Sequence, residues 1–279
     1  MPSDFELKIE PPKKLNLNFR ELWQYRELFY FFTWRDVKVR YKQTALGVLW
    51  VLLQPVLTVI IFTVFFGRAL KIPSGGIPYS IFVFSGLLFW NAFSASLVSA
   101  GNSMVNNANI IKKIYFPRLI IPISAILVSL VDMAVAFALF IVTILFYPFA
   151  TPFEVDWILF FPVSLAALVV MIVGTVGLCC FLSALNVKYR DFRYVVPFAL
   201  QVLLFLTPVI YPINILYYPG LEYFLALNPM YAVIELFRYP LLHQVDMPLL
   251  LISLSSSLTL LVWGLYYFKK TEHYFADLA

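Results

Sequence analysis

Six apolar stretches, near residues 45–66, 79–101, 119–147, 157–185, 195–211 and 247–268, leave this chain one general way to fold. The hydrocarbon of a bilayer is about 30 Å thick, and a helix of about 20 apolar residues crosses it. Helices are required because lipid offers no partner to an open backbone N–H or C=O. A soluble domain could not hide such runs. Its apolar share lies near ~45–50%, whereas 62% of these 279 residues are hydrophobic and only 13% are charged. The chain is therefore predicted to be an all-α membrane protein with six transmembrane helices.

Charge orients the spans. The segments 1–44, 102–118, 186–194 and 269–279 carry 17 of the 20 Lys and Arg residues. The opposite loops hold Arg68, Lys71 and Arg238 beside five carboxylates, Glu154, Asp156, Glu222, Glu235 and Asp246. Positive loops stay cytoplasmic during insertion, so both termini are predicted inside and the number of spans even. The formal charge of +5 and the pI near 9.1 then reflect insertion and anionic lipid, not nucleic acid. Residues 1–18, with Lys8, Lys13 and Lys14 and no apolar core, read as a polar tail rather than a cleavable signal peptide.

Three segments between the spans are unusual. Residues 19–42 contain nine aromatics, with Leu22, Tyr25, Phe29 and Phe32 on one helical face and Arg20, Gln24 and Glu27 on another. That pattern predicts an amphipathic helix in the cytoplasmic interface. Arg35, Lys38 and Lys42 are placed to meet lipid headgroups or a cytosolic subunit. Between spans two and three, NNANIIKKIYFPR (Asn106–Arg118) forms a short basic and aromatic island, a handle for a partner outside the membrane. Residues 212–246 contain Pro212, Pro219, Pro229 and Pro240, which forbid a full crossing. The same segment is too apolar for a solvated loop and carries Tyr217, Tyr218, Tyr223, Phe224, Tyr231, Phe237 and Tyr239. Short re-entrant helices that line or cap a pathway fit both facts.

No catalytic or metal site is predicted. Asp132 is the one charge clearly inside a span, with no basic residue in any span to pair with it. It reads either as a proton or cation site or as a packed hydrogen-bonding group. His243 and His273 fall on opposite sides of the membrane, so they cannot share a metal or acid–base site. Adjacent Cys179 and Cys180 read as small hydrophobes, and Gly174 and Gly177 as points of close helix packing. Gly75 and Gly76 form an outer turn. No GxxxxGK[ST] phosphate loop occurs, so any ATP is hydrolysed by another chain.

Four motifs carry a resemblance. RDVKVRYKQTALGVLWVLLQP (Arg35–Pro55), NIIKKIYFPR (Asn109–Arg118), KYRDFRYVVPFALQ (Lys188–Gln201) and TPVIYP (Thr207–Pro212) together resemble the transmembrane subunit of type-2 ABC exporters of polysaccharide, in the branch that exports O-antigen and teichoic-acid polymers on a polyprenyl carrier. The resemblance covers about residues 19–270 and leaves out residues 1–18. It implies an amphipathic interface helix (19–42), a six-span domain (43–270), a cytoplasmic coupling helix (106–116), re-entrant helices (212–246) and a cytoplasmic tail (271–279). It also implies a homodimer paired with two copies of an ATPase that holds ATP and Mg, a lipid-linked polysaccharide as substrate, and residence in the inner membrane.

On that pattern Asn106–Phe116 form the coupling helix in a groove of the ATPase, with Pro117 ending it, and Asn106, Asn109, Lys112, Lys113, Tyr115, Phe116, Pro117 and Arg118 are the coupling residues. The lysines equally serve positive-inside insertion. A polymer would run along the dimer axis. Trp50, Gln54, Thr58 and Phe62 share one face of the first span, and Phe198, Gln201 and Phe205 form a similar stripe in the fifth. These stripes are candidate channel lining; alternatively the rings face lipid and the amides bond neighbouring helices. Other readings are export of a small amphiphile, a membrane-embedded glycosyltransferase, and a proton-coupled carrier resting on Asp132.

Overall fold

The computed structural model describes residues 19–42, 47–147, 153–213, 220–272 and 275. The tail 1–18 and the residues Tyr217, Tyr218, Pro219 and His273 lie outside them. The described residues form helices and connections, with no strand among them.

The segment 19–42 is not one helix. It comprises α1 (Phe19–Gln24) and α2 (Arg26–Lys42), separated by a turn at Tyr25. Nor does α2 only coat a surface. It packs along α6 (Ile120–Phe146), with Phe32 buried against Phe116 at 5.9 Å between ring centroids. At its far end Arg40 pairs with the Asp132 carboxylate and Tyr41 donates to the other carboxylate oxygen. Asp132 lies in the middle of α6, about 18 Å from its first residue at 1.5 Å per residue. Asp132 thus has a basic partner, although none lies in any span. The partner comes from outside every apolar run, because α2 climbs beside α6 instead of stopping at its foot. Burial, then the bond to Asp132, pushes the Tyr41 phenol up to about 12, which keeps it a donor at neutral pH.

Among the described residues, five helices are long and apolar enough to cross a membrane by length and composition. The first runs through α3 (Gly47–Phe62), across Pro55, into a π-helical segment (Thr63–Ala69). There the wide turn closes with the Leu70 N–H donating to the Phe65 carbonyl at 3.0 Å, and Gly67 lets the Tyr79 ring lie where a Cβ would be 2.8 Å from a ring carbon. The second is α4 (Tyr79–Asn106), the most buried of the five at 78%. The helix α5 (Ala108–Ile111) follows as a single turn, and α6 is the third span. The fourth is α7 (Trp157–Lys188), capped by Asp156, whose Oδ1 accepts from the Ile158 and Leu159 N–H groups.

The expected fifth span is α8 (Phe192–Leu206), whose 15 residues reach only about 22 Å. Pro208 holds Thr207 extended at ψ 140° and stops the helix short. The chain continues as a buried irregular segment, with Val209 and Ile210 almost without exposure. Non-helical backbone at such depth survives only where protein satisfies its polar groups. Arg238 does so here. It is fully buried, it donates to the carbonyls of Pro208 (2.7 Å), Val209 (2.7 Å) and Phe82 (3.0 Å) and to Ser85 Oγ (3.1 Å), and its guanidinium lies 3.7 Å from the Phe82 ring centroid. Gly86 makes room, since a Cβ there would sit 2.9 Å from both Arg238 Nη2 and the Val209 carbonyl oxygen. Arg238, counted from the sequence as a loop charge, is a core residue.

Two short helices stand in the 212–246 region, α9 (Leu221–Ala226) and α10 (Pro229–Leu242), which carries Arg238. Asn228 caps α10 by accepting from the Met230 N–H, and Pro229 occupies its first position. α10 is buried among α4, α7 and α11 (Met247–Thr271). The last helix crosses α7 closely at Gly264 and Gly177, where a Cβ on Gly264 would lie 1.9 Å from the Gly177 carbonyl oxygen.

Candidate functional site

One end of the bundle gathers the segments that the sequence marks as basic. Phe32 of α2, Ile111 of α5, Phe116 and Leu119 beyond it, Val187 at the end of α7, and Phe268 and Phe275 share one apolar cluster. This cluster is the floor on which the Asn106–Arg118 island is built.

The island splits into an anchored half and an offered half. α4 ends at Asn106, and Asn107 leaves helical geometry at φ −105° and ψ 17°. Only α5 is regular. Pro117 lacks an N–H and disfavours helical backbone at Phe116, so the chain uncoils well before the expected end of a helix over 106–116. Phe116 and Pro117 are buried, and Arg118 donates to the Glu272 carbonyl with its guanidinium 5.9 Å from the Phe275 ring centroid. Asn106, Asn109, Lys112, Lys113, Ile114 and Tyr115 face outward, Ile114 and Tyr115 at more than 60% exposure. Exposed Ile and Tyr beside two lysines, held rigidly from below, form the surface that a partner with carboxylates and an apolar cleft would grip. A shallow concavity of about 210 Å³ runs along residues 111–118.

The turn is tied to α2. Arg35 donates through Nη2 to Asn107 Oδ1 at 3.0 Å and through Nε to Asp36 at 2.7 Å, and lies 5.0 Å from the Phe32 ring centroid. Lys38 and Lys42 are exposed. Of the interface residues chosen from sequence, Arg35 therefore faces the protein and the two lysines face outward.

The two stripes lie on helices that both pack against α4. Trp50 is 52% exposed, Phe198 67% and Phe205 55%, and Gln54 and Gln201 are exposed with them. Thr58 and Phe62 are half-buried. Thr58 Oγ1 donates to the Gln54 carbonyl at 2.8 Å, and Phe62 stacks on Phe66 at 5.4 Å. Tyr79 bridges the outer ends of both helices by lying on Gly67 and donating to the Ile210 carbonyl at 2.8 Å. None of the first span is buried within the subunit.

Sequence reading missed Arg40, Tyr41 and Arg238. Arg40 and Tyr41 stand inside the RDVKVRYK motif, outside every apolar run, where no local signal ties them to Asp132. Helical spacing, with Ile234, Leu241 and Leu242 three and four residues away on its face, puts Arg238 on an apolar helix face but says nothing of its partners. No three side chains able to ligate a metal converge among the described residues.

Residues 27–242 match the model of the ABC-2 type transporter family. The chain is 29% identical over 220 residues to the O-antigen export system permease protein RfbA of Myxococcus xanthus, covering 78% of this chain and 82% of the relative. It is 27% identical over 254 residues to the protein of the same name from Klebsiella pneumoniae, covering 90% and 95%. With a family match over more than three quarters of the sequence, the chain belongs to the ABC-2 type transporter family.

Proposed function

We propose that this chain is the membrane subunit of an ATP-driven exporter of a polyprenyl-linked polysaccharide of the O-antigen class, acting as a homodimer with two copies of a separate ATPase in the inner membrane. The observation that carries the reading is the outward Lys112–Tyr115 turn, clamped by Phe116 and Arg118. The names of the relatives support the substrate class. ATP and Mg²⁺ belong to the partner, and both termini of this chain lie on the partner's side.

Force has a continuous route in this arrangement. The turn is bonded to α2 through Asn107 and Arg35, and α2 is bonded to the centre of α6 through Arg40, Tyr41 and Asp132. Closure of the ATPase on ATP pushes the turn, and the linked helices switch between two arrangements of the dimer. The exposed faces of α3 and α8 line the path. Aromatic faces and side-chain amides there hold a glycan without stopping its sliding.

Replacing Gln54 and Gln201 together with Leu is expected to cut surface glycan by about tenfold while the complex still assembles and hydrolyses ATP, a loss that about 1.4 kcal/mol would produce. Unchanged export in the double variant rejects the lining. Deletion of the gene followed by lipid extraction tests the whole reading. Polyprenyl-linked glycan should accumulate inside the cell, and loss of drug resistance without accumulation would instead indicate an exporter of small amphiphiles.

A further inference from the structure

At the bundle end opposite the docking turn, a cavity of about 630 Å³ lies against α10, the start of α4 and the turn into α11. Tyr231, Glu235, His243, Gln244 and Asp246 line it, with Phe82 at its floor. Two of these groups have no hydrogen-bond partner among the described residues, the buried Tyr231 and the half-buried Glu235. Tyr231 has no exposed surface, and its phenol O–H finds no acceptor among the described residues. Glu235, one turn further along the same face of α10, receives no hydrogen bond among the described residues. Arg238 is near, but four of its five N–H groups are committed to Ser85 and to the carbonyls of Phe82, Pro208 and Val209. A buried hydroxyl left unmet is costly, so a cavity that sets it beside a half-buried carboxylate with no protein donor suits a group that bonds to both.

We infer that this cavity is an exit-side subsite for a neutral sugar unit of the exported glycan, in which one hydroxyl donates to Glu235 and accepts from Tyr231. The inference rests on the export function proposed above. A hydroxyl is the group that gives and takes a hydrogen bond at one atom. Asp246 spends Oδ1 on the Leu249 N–H at 3.3 Å and keeps its second oxygen for another hydroxyl, and the Gln244 amide offers both a donor and an acceptor. Two carboxylates repel an acidic sugar, which selects neutral units. A metal ion fits less well, because no three ligating side chains converge among the described residues. The subsite lies within each subunit and away from the α3 and α8 stripes, so it holds the polymer after passage.

The test uses the full complex with its ATPase in lipid nanodiscs. The probe is short neutral fragments of the producing strain's surface glycan, freed from lipid by mild acid. Tyr231→Phe and Glu235→Gln should each weaken binding about tenfold. Tyr231→Phe should leave thermal stability equal to or above the wild type, because the hydroxyl it removes has no partner in the protein. Fragments that fail to bind the wild type, or bind both variants as tightly, overturn the subsite. The parent reading is separable. If cells lacking this chain still display the glycan, the export function falls and the subsite with it; if display is lost in those cells but normal in both variants, only the subsite falls.

Discussion

Arg238→Ala should yield almost no folded protein. Among the described residues, the guanidinium alone donates to the Pro208 and Val209 carbonyls, which lie beyond the end of α8 where no helix turn can serve them. Each orphaned buried acceptor costs about 1–3 kcal/mol, and the emptied volume beside Phe82 and Gly86 adds a cavity term. The total is comparable with the entire stability of many domains, about 5–15 kcal/mol. Arg238→Lys keeps the charge but reaches fewer acceptors from a single nitrogen, so it should lie between. The readout is the monodisperse fraction on size exclusion after extraction in mild detergent, together with the melting temperature. An alanine variant that elutes and melts like the wild type would show that the segment after α8 is held by something else.

The second large effect belongs to the pair formed by Arg40 and Asp132. Arg40→Leu strands a carboxylate halfway along α6, a placement that costs about 2.5–3.5 kcal/mol on insertion scales. Folded yield should fall severalfold. Removing the stranded charge as well, in Arg40→Leu/Asp132→Asn, should restore yield, because an amide can still accept from Tyr41. Export should not return with it. The double variant lacks the ionic tie between α2 and α6, so glycan exported per ATP hydrolysed stays low. A double variant no better folded than the single one would mean that Arg40 acts independently of Asp132; full export from it would remove the pair from the coupling route. This pair also weakens the reading of Asp132 as a proton carrier, since both of its oxygens are engaged by α2.

Spans one to four and six were legible because apolar length is a one-dimensional property that a bilayer reads directly, and the described helices overlap those stretches. The fifth was legible in place but not in length. Its apolar run continues past Leu206 into Pro208, Val209 and Ile210, and hydropathy does not distinguish a buried irregular strand of chain from a helix. Charge marked the basic island at 106–118 and hid Arg238. A lone arginine between apolar neighbours resembles a loop residue until its carbonyl partners, up to 156 positions away, are brought to it. The link from Arg40 to Asp132 spans 92 positions and joins an apolar run to a polar one. No periodicity within either segment encodes it.

The short α8 has a consequence for how the chain is made. A segment that ends in bare carbonyls cannot rest in lipid alone, and its complement arrives 30 residues after Pro208 in the order of synthesis. The insertion machinery must therefore retain residues 192–213 in a sheltered vestibule until Arg238 has been translated, and release them with α10 as one unit. Truncating translation products between Ile213 and Arg238 should leave this stretch bound to the translocon, whereas products extending past α11 should partition into the bilayer together.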